Sequence, residues 1–274
     1  MEVVLEPYAS FYRHGWHSWS PSGWVDPSEP VSPIADEARR LGHDDPLHAF
    51  DTKVGGSGVG VVQHSDGSVT LLGALDPGAH VQPQGLMLSG SAEGEPIDWV
   101  VLRGDEESVW SQYASLLVSR FGRRRADKVR VWCSWYSFYE DVSHAQMDEV
   151  LSGLDGLPFD VVQVDDGWEA SVGDWQPNEK FPSGMATMAE RICGSGFTPG
   201  LWLAPLIAQS TSRLATERSD LLLHNEAGEP VVAGINWGSP YYALDPTADA
   251  TLEYLAELMT EVRSWGYDYL KLDF

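Results

Sequence analysis

From Lys128 to Phe274 the chain alternates short apolar runs, each ending in polar or aromatic residues, with segments of helical periodicity. Residues 129–135 read as a strand, and a helix follows over about 143–154 with Ser143 as a candidate N-cap. Residues 160–166 form a second strand and 184–194 a second helix; 198–205 are a third strand. A loop covers 228–244, a helix runs over about 248–265, and 267–274 read as a fourth strand. Repetition of this kind needs crossover connections, and so implies a parallel sheet with helices outside it. A doubly wound sheet and a (β/α)8 barrel both satisfy it. No glycine-rich phosphate loop follows the first strand, which weighs against the nucleotide-binding, doubly wound form.

The barrel explains where the unusual residues fall, because its active sites are built at the C-terminal ends of the strands. Those ends carry Trp135, the pair Asp165 and Asp166, Trp202, and finally Lys271 and Asp273. Strand side chains alternate between faces. Val162, Val164, Leu201, Leu203, Leu270 and Leu272 then form an aliphatic outer set under the helices. Val131, Cys133 and Trp135 share the inner face with Gln163, Asp165, Gly200, Trp202, Ala204, Tyr269, Lys271 and Asp273, with Asp166 at the lip. A structural barrel interior is filled with branched aliphatics, so inward Asp and Lys call for a site. The residues alone leave open that the Asp pair caps a helix and that Lys271 and Asp273 form a structural ion pair.

Residues 1–125 follow a different pattern, rich in Gly, Pro and Ser with short alternating runs. A hairpin over 59–73 turns at Ser65-Asp66-Gly67, residues 98–103 form another strand, and 109–121 have helical spacing. An antiparallel β-sandwich is expected here, with domains of 1–125 and 126–274, both shorter than complete examples of their type.

Charge narrows the partners. Against 41 Asp and Glu stand 17 Lys and Arg, a net charge of −24, and the only basic run is 123–125. Nucleic acid and anionic membranes are excluded as natural partners on that balance. Only 4 of the 17 cations are Lys, and the acidic, Lys-poor composition leaves two readings open: adaptation to a salty cytoplasm, where screening relieves self-repulsion, or an ordinary acidic protein with Arg-biased codons. Twelve Trp suit a binding site for neutral, hydroxyl-rich ligands. Cys133 and Cys193 read as core thiols and the His residues lack metal-ligand spacing, so neither a metal nor another cofactor is expected. No signal peptide or membrane span is visible, and a cytoplasmic location is expected.

Several motifs agree in order with one family. Val164-Asp165-Asp166-Gly167-Trp168, Gly173-Asp174-Trp175, Lys180-Phe181-Pro182, Gly200-Leu201-Trp202-Leu203-Ala204-Pro205, Tyr242-Ala243-Leu244-Asp245 and Tyr269-Leu270-Lys271-Leu272-Asp273-Phe274 resemble glycoside hydrolase family 36, the α-galactosidases and their relatives. His14-Gly15-Trp16-His17-Ser18-Trp19-Ser20 is similar to the family's Gly-Trp-Gln-Ser-Trp element, with His17 in place of Gln. The resemblance implies that Asp273 is the nucleophile of a retaining double displacement, kept ionised by Lys271. It implies that Asp165 and Asp166 accept hydrogen bonds from the sugar 4- and 6-hydroxyls, that Trp135 and Trp202 line the pocket, and that Trp19 closes it.

A retaining glycosidase needs a second carboxyl group about 5–5.5 Å from the first, and in this family it comes from a later strand. Four strand–helix units are present where a barrel takes ~250 residues. The expected architecture is therefore the first half of a (β/α)8 barrel behind a β-sandwich, in a fragment that lacks the acid/base and turns over no substrate. The expected partners are α-galactoside oligosaccharides, with homo-oligomerisation possible. Galactosyl transfer as in raffinose and stachyose synthases, α-N-acetylgalactosaminide hydrolysis, and a non-catalytic sugar-binding remnant are the competing readings.

Overall fold

The computed structural model describes residues 1–16, 20–31, 47, 48, 50–92, 94, 96–123 and 128–274. The chain divides into two compact units, Met1–Arg125 and Ala126–Phe274.

In the first unit the alternating runs become β1 (Glu2–Val4), β2 (Tyr8–Arg13), β3 (Gly23–Val25), β4 (Gly56–Ser57), β5 (Val59–His64), β6 (Val69–Ala74), β7 (Ala79–Gln84), β8 (Met87–Ala92) and β9 (Trp99–Gly104), followed by helix α1 (Glu106–Phe121). They pair into two antiparallel sheets, β1-β8-β7-β4 and β3-β2-β5-β6-β9. Period-two alternation divides β5 and β6 between two cores. Val62 and Leu72 meet Phe11, Val81 and Leu88 between the sheets, whereas Val59, Val61 and Leu71 lie under Val109 and Tyr113 of α1. Tyr113 packs so closely on β6 that a Cβ at Gly73 would sit 2.5 Å from its ring, and its hydroxyl donates to the Ala74 carbonyl at 2.7 Å.

The second unit contains β10 (Val131–Cys133), α2 (Trp135–Phe138), α3 (His144–Gly153), β11 (Val161–Val164), β12 (Glu169–Ser171), β13 (Asp174–Pro177), α4 (Gly184–Gly194), β14 (Thr198–Leu203), β15 (Ile207–Gln209), α5 (Arg213–Glu217), β16 (Val232–Asn236), β17 (Ser239–Ala243), α6 (Asp249–Ser264) and β18 (Tyr269–Leu272). Four strands form a parallel sheet in the order β10-β11-β14-β18. The order follows the chain without reversal, as in a (β/α)8 barrel; a doubly wound sheet reverses at its switch point. The four units are the first half of such a barrel.

Val162, Val164, Leu201 and Leu203 do face outward, into a core with Met147 and Leu151 of α3, Met185, Met188, Ala189 and Ile192 of α4, and Leu258 and Val262 of α6. Each such side chain, once buried, contributes about 1.5–3 kcal/mol. The apolar residues of α4 recur at i, i+3, i+4 and i+7, which leaves Cys193 on the solvent side; it is exposed rather than a core thiol. Ser143 caps α3, its hydroxyl accepting from the Gln146 amide.

Two expectations need correction. The first strand ends at Cys133, because the Ser134 carbonyl accepts from the Ser137 and Phe138 amides and bends the chain into α2. Residues 228–244 are not a loop: β15, β17 and β16 make a three-stranded antiparallel sheet, and β12 and β13 form a hairpin after the second parallel strand. No described helix is long and apolar enough to cross a membrane.

Candidate active site

The register of the parallel sheet sets Cys133 beside Gln163, and Trp202 beside Lys271. Inward-facing polar groups therefore meet where the strands end. Asp165, 1% exposed, is their focus. Its Oδ2 accepts from the Lys271 ammonium at 2.9 Å, the Cys133 thiol at 3.1 Å and the Gln163 amide; its Oδ1 accepts from the Asp166 amide at 3.0 Å. A buried carboxylate is tolerable only when paired and hydrogen-bonded in this way. Burial and the adjoining Asp165 carboxylate push the Cys133 thiol up to about 12, so it stays a neutral donor. Lys271 lies closer to Asp165 than to Asp273, which is 3.8 Å away. Its first partner is therefore not the expected one. Burial disfavours the Lys271 charge, but the hydrogen bond and charge of Asp165, with Asp273, outweigh this and raise its pKa.

Asp273 lies just past β18, anchored by its amide to the Leu203 carbonyl at 2.9 Å. Its Oδ2 accepts from the Trp202 indole at 3.1 Å and its Oδ1 from the Phe274 amide at 3.2 Å. With 21% of its side chain exposed against 2% for Asp165, it is the more open of Lys271's two carboxylate neighbours. Trp202 itself is 1% exposed, and what it presents to Asp273 is its indole N–H.

Asp166 lies on a turn that only glycine completes: Gly167 has φ +113°, and a Cβ there would stand 2.3 Å from the Glu140 carbonyl. Asp166 Oδ2 accepts from the Trp237 indole at 2.8 Å, while its buried Oδ1 meets no N–H or hydroxyl donor among the described residues. Burial, with the Asp165 and Asp273 charges, raises the Asp166 pKa against the hydrogen bonds from Glu169 and Trp237. Glu169, on β12, is buried beside it and accepts from the Gly167 amide at 3.2 Å. Burial first, then the Asp166 charge and hydrogen bond, push its carboxyl up to about 8.

Sequence reasoning missed both Glu169 and Trp237. Trp237 (φ +50°) and Gly238 (φ +74°) are the central residues of the two-residue turn joining β16 to β17, the type I′ hairpin conformation. A tryptophan held left-handed costs about 1–2 kcal/mol, opposed here by packing on Trp202, Tyr241 and Phe274 and by the Gln209 amide donating to its carbonyl at 3.3 Å. The signal was a Trp-Gly pair between alternating runs. Trp237 also ends a file of indoles: Trp265, Trp168, Trp175, Trp202 and Trp237 follow one another at centroid spacings of 6.0–6.4 Å.

The remaining expected site residues fare differently. Trp135 starts α2, its ring edge-on to Tyr139 at 5.2 Å, and takes no part in the carboxylate hydrogen bonds. Trp19 lies outside the described residues. Asp174, which is not among the expected site residues, accepts from the Arg213 and Leu214 amides at the start of α5. In the first unit His48, Asp51 and His80 bring ligand atoms within 4.8 Å of one another, a grouping that sequence spacing did not suggest. The two imidazoles stack at 3.5 Å and 14°. Their in-plane lone pairs therefore lie in separate layers and do not converge on one ion at about 2.0–2.1 Å.

The chain is similar to several known proteins. TtGalA, an α-galactosidase from Thermus thermophilus solved with stachyose, is 44% identical, with a TM-score of 0.94 over 100% of this chain and 60% of its own. The GH36 α-galactosidase AgaA of Geobacillus stearothermophilus shares the fold at 18% identity, with a TM-score of 0.70 over 100% of this chain and 42% of its own. Alpha-galactosidase Mel36A of Lactobacillus acidophilus is 26% identical over 149 residues, 51% of this chain and 20% of the relative. The chain thus spans about a fifth of that curated relative and a little over half of the Thermus structure. The melibiase family model matches residues 107–274. That match takes in more than half of the chain and all of the carboxylate cluster, and the chain belongs to the melibiase family, whose GH36 α-galactosidases it resembles in fold.

Proposed function

We propose that this chain carries the galactose-recognising and nucleophilic groups of a retaining α-galactosidase acting on terminal α-D-galactosides of oligosaccharides. Asp273 is the nucleophile. Its oxygen attacks the anomeric carbon, the bond to the leaving oxygen breaks with its electron pair, and that oxygen takes a proton from an acid; water later cleaves the galactosyl ester. No described residue is assigned as the acid. The Lys271 ammonium stands 3.8 Å from Asp273 and the Trp202 indole donates to its Oδ2 at 3.1 Å, which orients the carboxyl group for attack. Asp166 accepts from a sugar hydroxyl with the lone pairs left free by Trp237, and charge-assisted bonds of this type discriminate the axial 4-hydroxyl of galactose from its equatorial counterpart. Asp165, already holding Lys271, Cys133 and Gln163, offers its Oδ1 to a second hydroxyl.

The observation that carries this reading is the partial exposure of Asp273 beside two buried acidic residues, Asp165 and Asp166. The test uses α-D-galactosyl fluoride, whose leaving group departs without protonation by an acid. Acid quenching and peptide mapping should find one galactosyl group on the peptide bearing Asp273, and none in Asp273→Asn. An adduct elsewhere, or an adduct that survives the substitution, refutes the assignment.

A further inference from the structure

Three observations converge on Glu169. Asp166 Oδ1 is buried and receives no N–H or hydroxyl among the described residues. The Glu169 side chain is hydrogen-bonded to Asp166 although both are carboxyl groups, which requires a proton on one of them. Both groups are buried, but Glu169 accepts only a backbone amide at 3.2 Å, whereas Asp166 accepts the Trp237 indole at the shorter distance of 2.8 Å, a bond that favours its ionised form.

We propose that Glu169 is a positioning residue, held as the neutral acid so that its O–H donates to Asp166 Oδ1 while Trp237 holds Oδ2, fixing the Asp166 carboxylate for the sugar hydroxyl. The proton resides on the Glu169 oxygen not engaged by Gly167. Among the described residues no other donor reaches Asp166 Oδ1, so loss of that proton sets two carboxylates against each other.

The surrounding charges do not relieve that repulsion. Asp165 and Asp273 face Asp166 from β11 and β18, and Glu140 faces it from the turn after α2. The nearby ammonium groups are engaged elsewhere: Lys271 on Asp165, and Lys180 on the Glu140 carbonyl. Trp237 from the β16–β17 turn adds a neutral donor. Ionisation of Glu169 therefore displaces Asp166 and weakens sugar binding at alkaline pH.

The binding consequence rests on the galactoside reading; the proton does not, and the two are measured separately. With glutamate carboxyl groups labelled by carbon-13, infrared spectra of the ligand-free chain at neutral pH should show one protonated glutamate carbonyl, which disappears as pH rises through about 8. Glu169→Gln should abolish it. Absence of that band in the unmodified chain overturns the proposal whatever the variants do. Galactose affinity, followed by tryptophan fluorescence, should fall about tenfold or more above pH 8, the size of a lost buried hydrogen bond to a charged group. Glu169→Gln, whose amide still donates, should keep the neutral-pH affinity within about threefold and lose the alkaline fall, while Glu169→Leu binds weakly at every pH. An alkaline fall that persists in Glu169→Gln overturns the positioning role. Absence of galactose binding in the unmodified chain, with the infrared band present, refutes both the galactoside reading and the positioning role while leaving the shared proton established.

Discussion

Replacing Lys271 with Met tests whether the cluster is held by charge pairing or by packing. Methionine keeps the length and apolar stem of lysine and removes only the ammonium. That ammonium stands 2.9 Å from Asp165, whose side chain is 2% exposed. Stripping one partner from a buried ion pair costs about 3–5 kcal/mol, because the other charge stays desolvated. Lys271 is itself 36% exposed, so water reaches the vacated position and the cost falls to about 2–3 kcal/mol. Urea denaturation at pH 7, with an unchanged m-value, measures the difference. Asp165→Asn in the Lys271→Met background should restore roughly half of the loss, since the stranded charge is gone, giving a coupling of about 1–2 kcal/mol. A loss below about 1 kcal/mol for the single variant, or strict additivity in the double variant, refutes the account of Asp165 as a charge that depends on Lys271.

Gly167→Ala should be among the most damaging small substitutions, costing about 3 kcal/mol or more, because a φ of +113° and a carbonyl 2.3 Å from the new Cβ cannot both be accommodated; a soluble variant with unchanged urea midpoint contradicts the turn geometry. Stability should also fall with pH. Glu169 releases its proton near 4.5 when unfolded but near 8 when folded, so between those values the folded chain binds more protons and loses stability as pH rises, on the order of a few kcal/mol in all. Thermal melts at pH 5 and pH 8 should show that fall in the unmodified chain and less of it in Glu169→Gln.

The parallel half of the fold was readable because each of its strands obeys one rule. Val162 and Val164 alternate with Gln163 and Asp165, Leu201 and Leu203 with Gly200 and Trp202, so period two sorts helix-facing from site-facing groups before any coordinates are known. The antiparallel additions were not readable. In β12 the sequence Glu-Ala-Ser buries its glutamate, and β16 pairs with a register shift between Val232 and Gly234, so neither shows regular alternation. The site was half legible for the same reason. Asp165, Lys271 and Asp273 sit on or just past regular strands, and their convergence follows from register. Trp237 arrives from a hairpin distant in sequence, and the partnership of Glu169 with Asp166 depends on a backbone turn at Gly167 and a burial that no spacing records. Trp202 shows a further gap: parity gave its direction, but not whether its face or its N–H would be presented.

The file of indoles behind the carboxylates constrains how this centre can change. Each inner ring is wedged between two others, so a smaller residue at Trp168, Trp175 or Trp202 leaves a buried void that its neighbours, locked in turn, cannot close. Drift along the file is therefore collective or absent. New ligand preferences arise more readily at the β16–β17 tip, where one turn delivers Trp237 from outside the parallel sheet, than among the tryptophans beneath it.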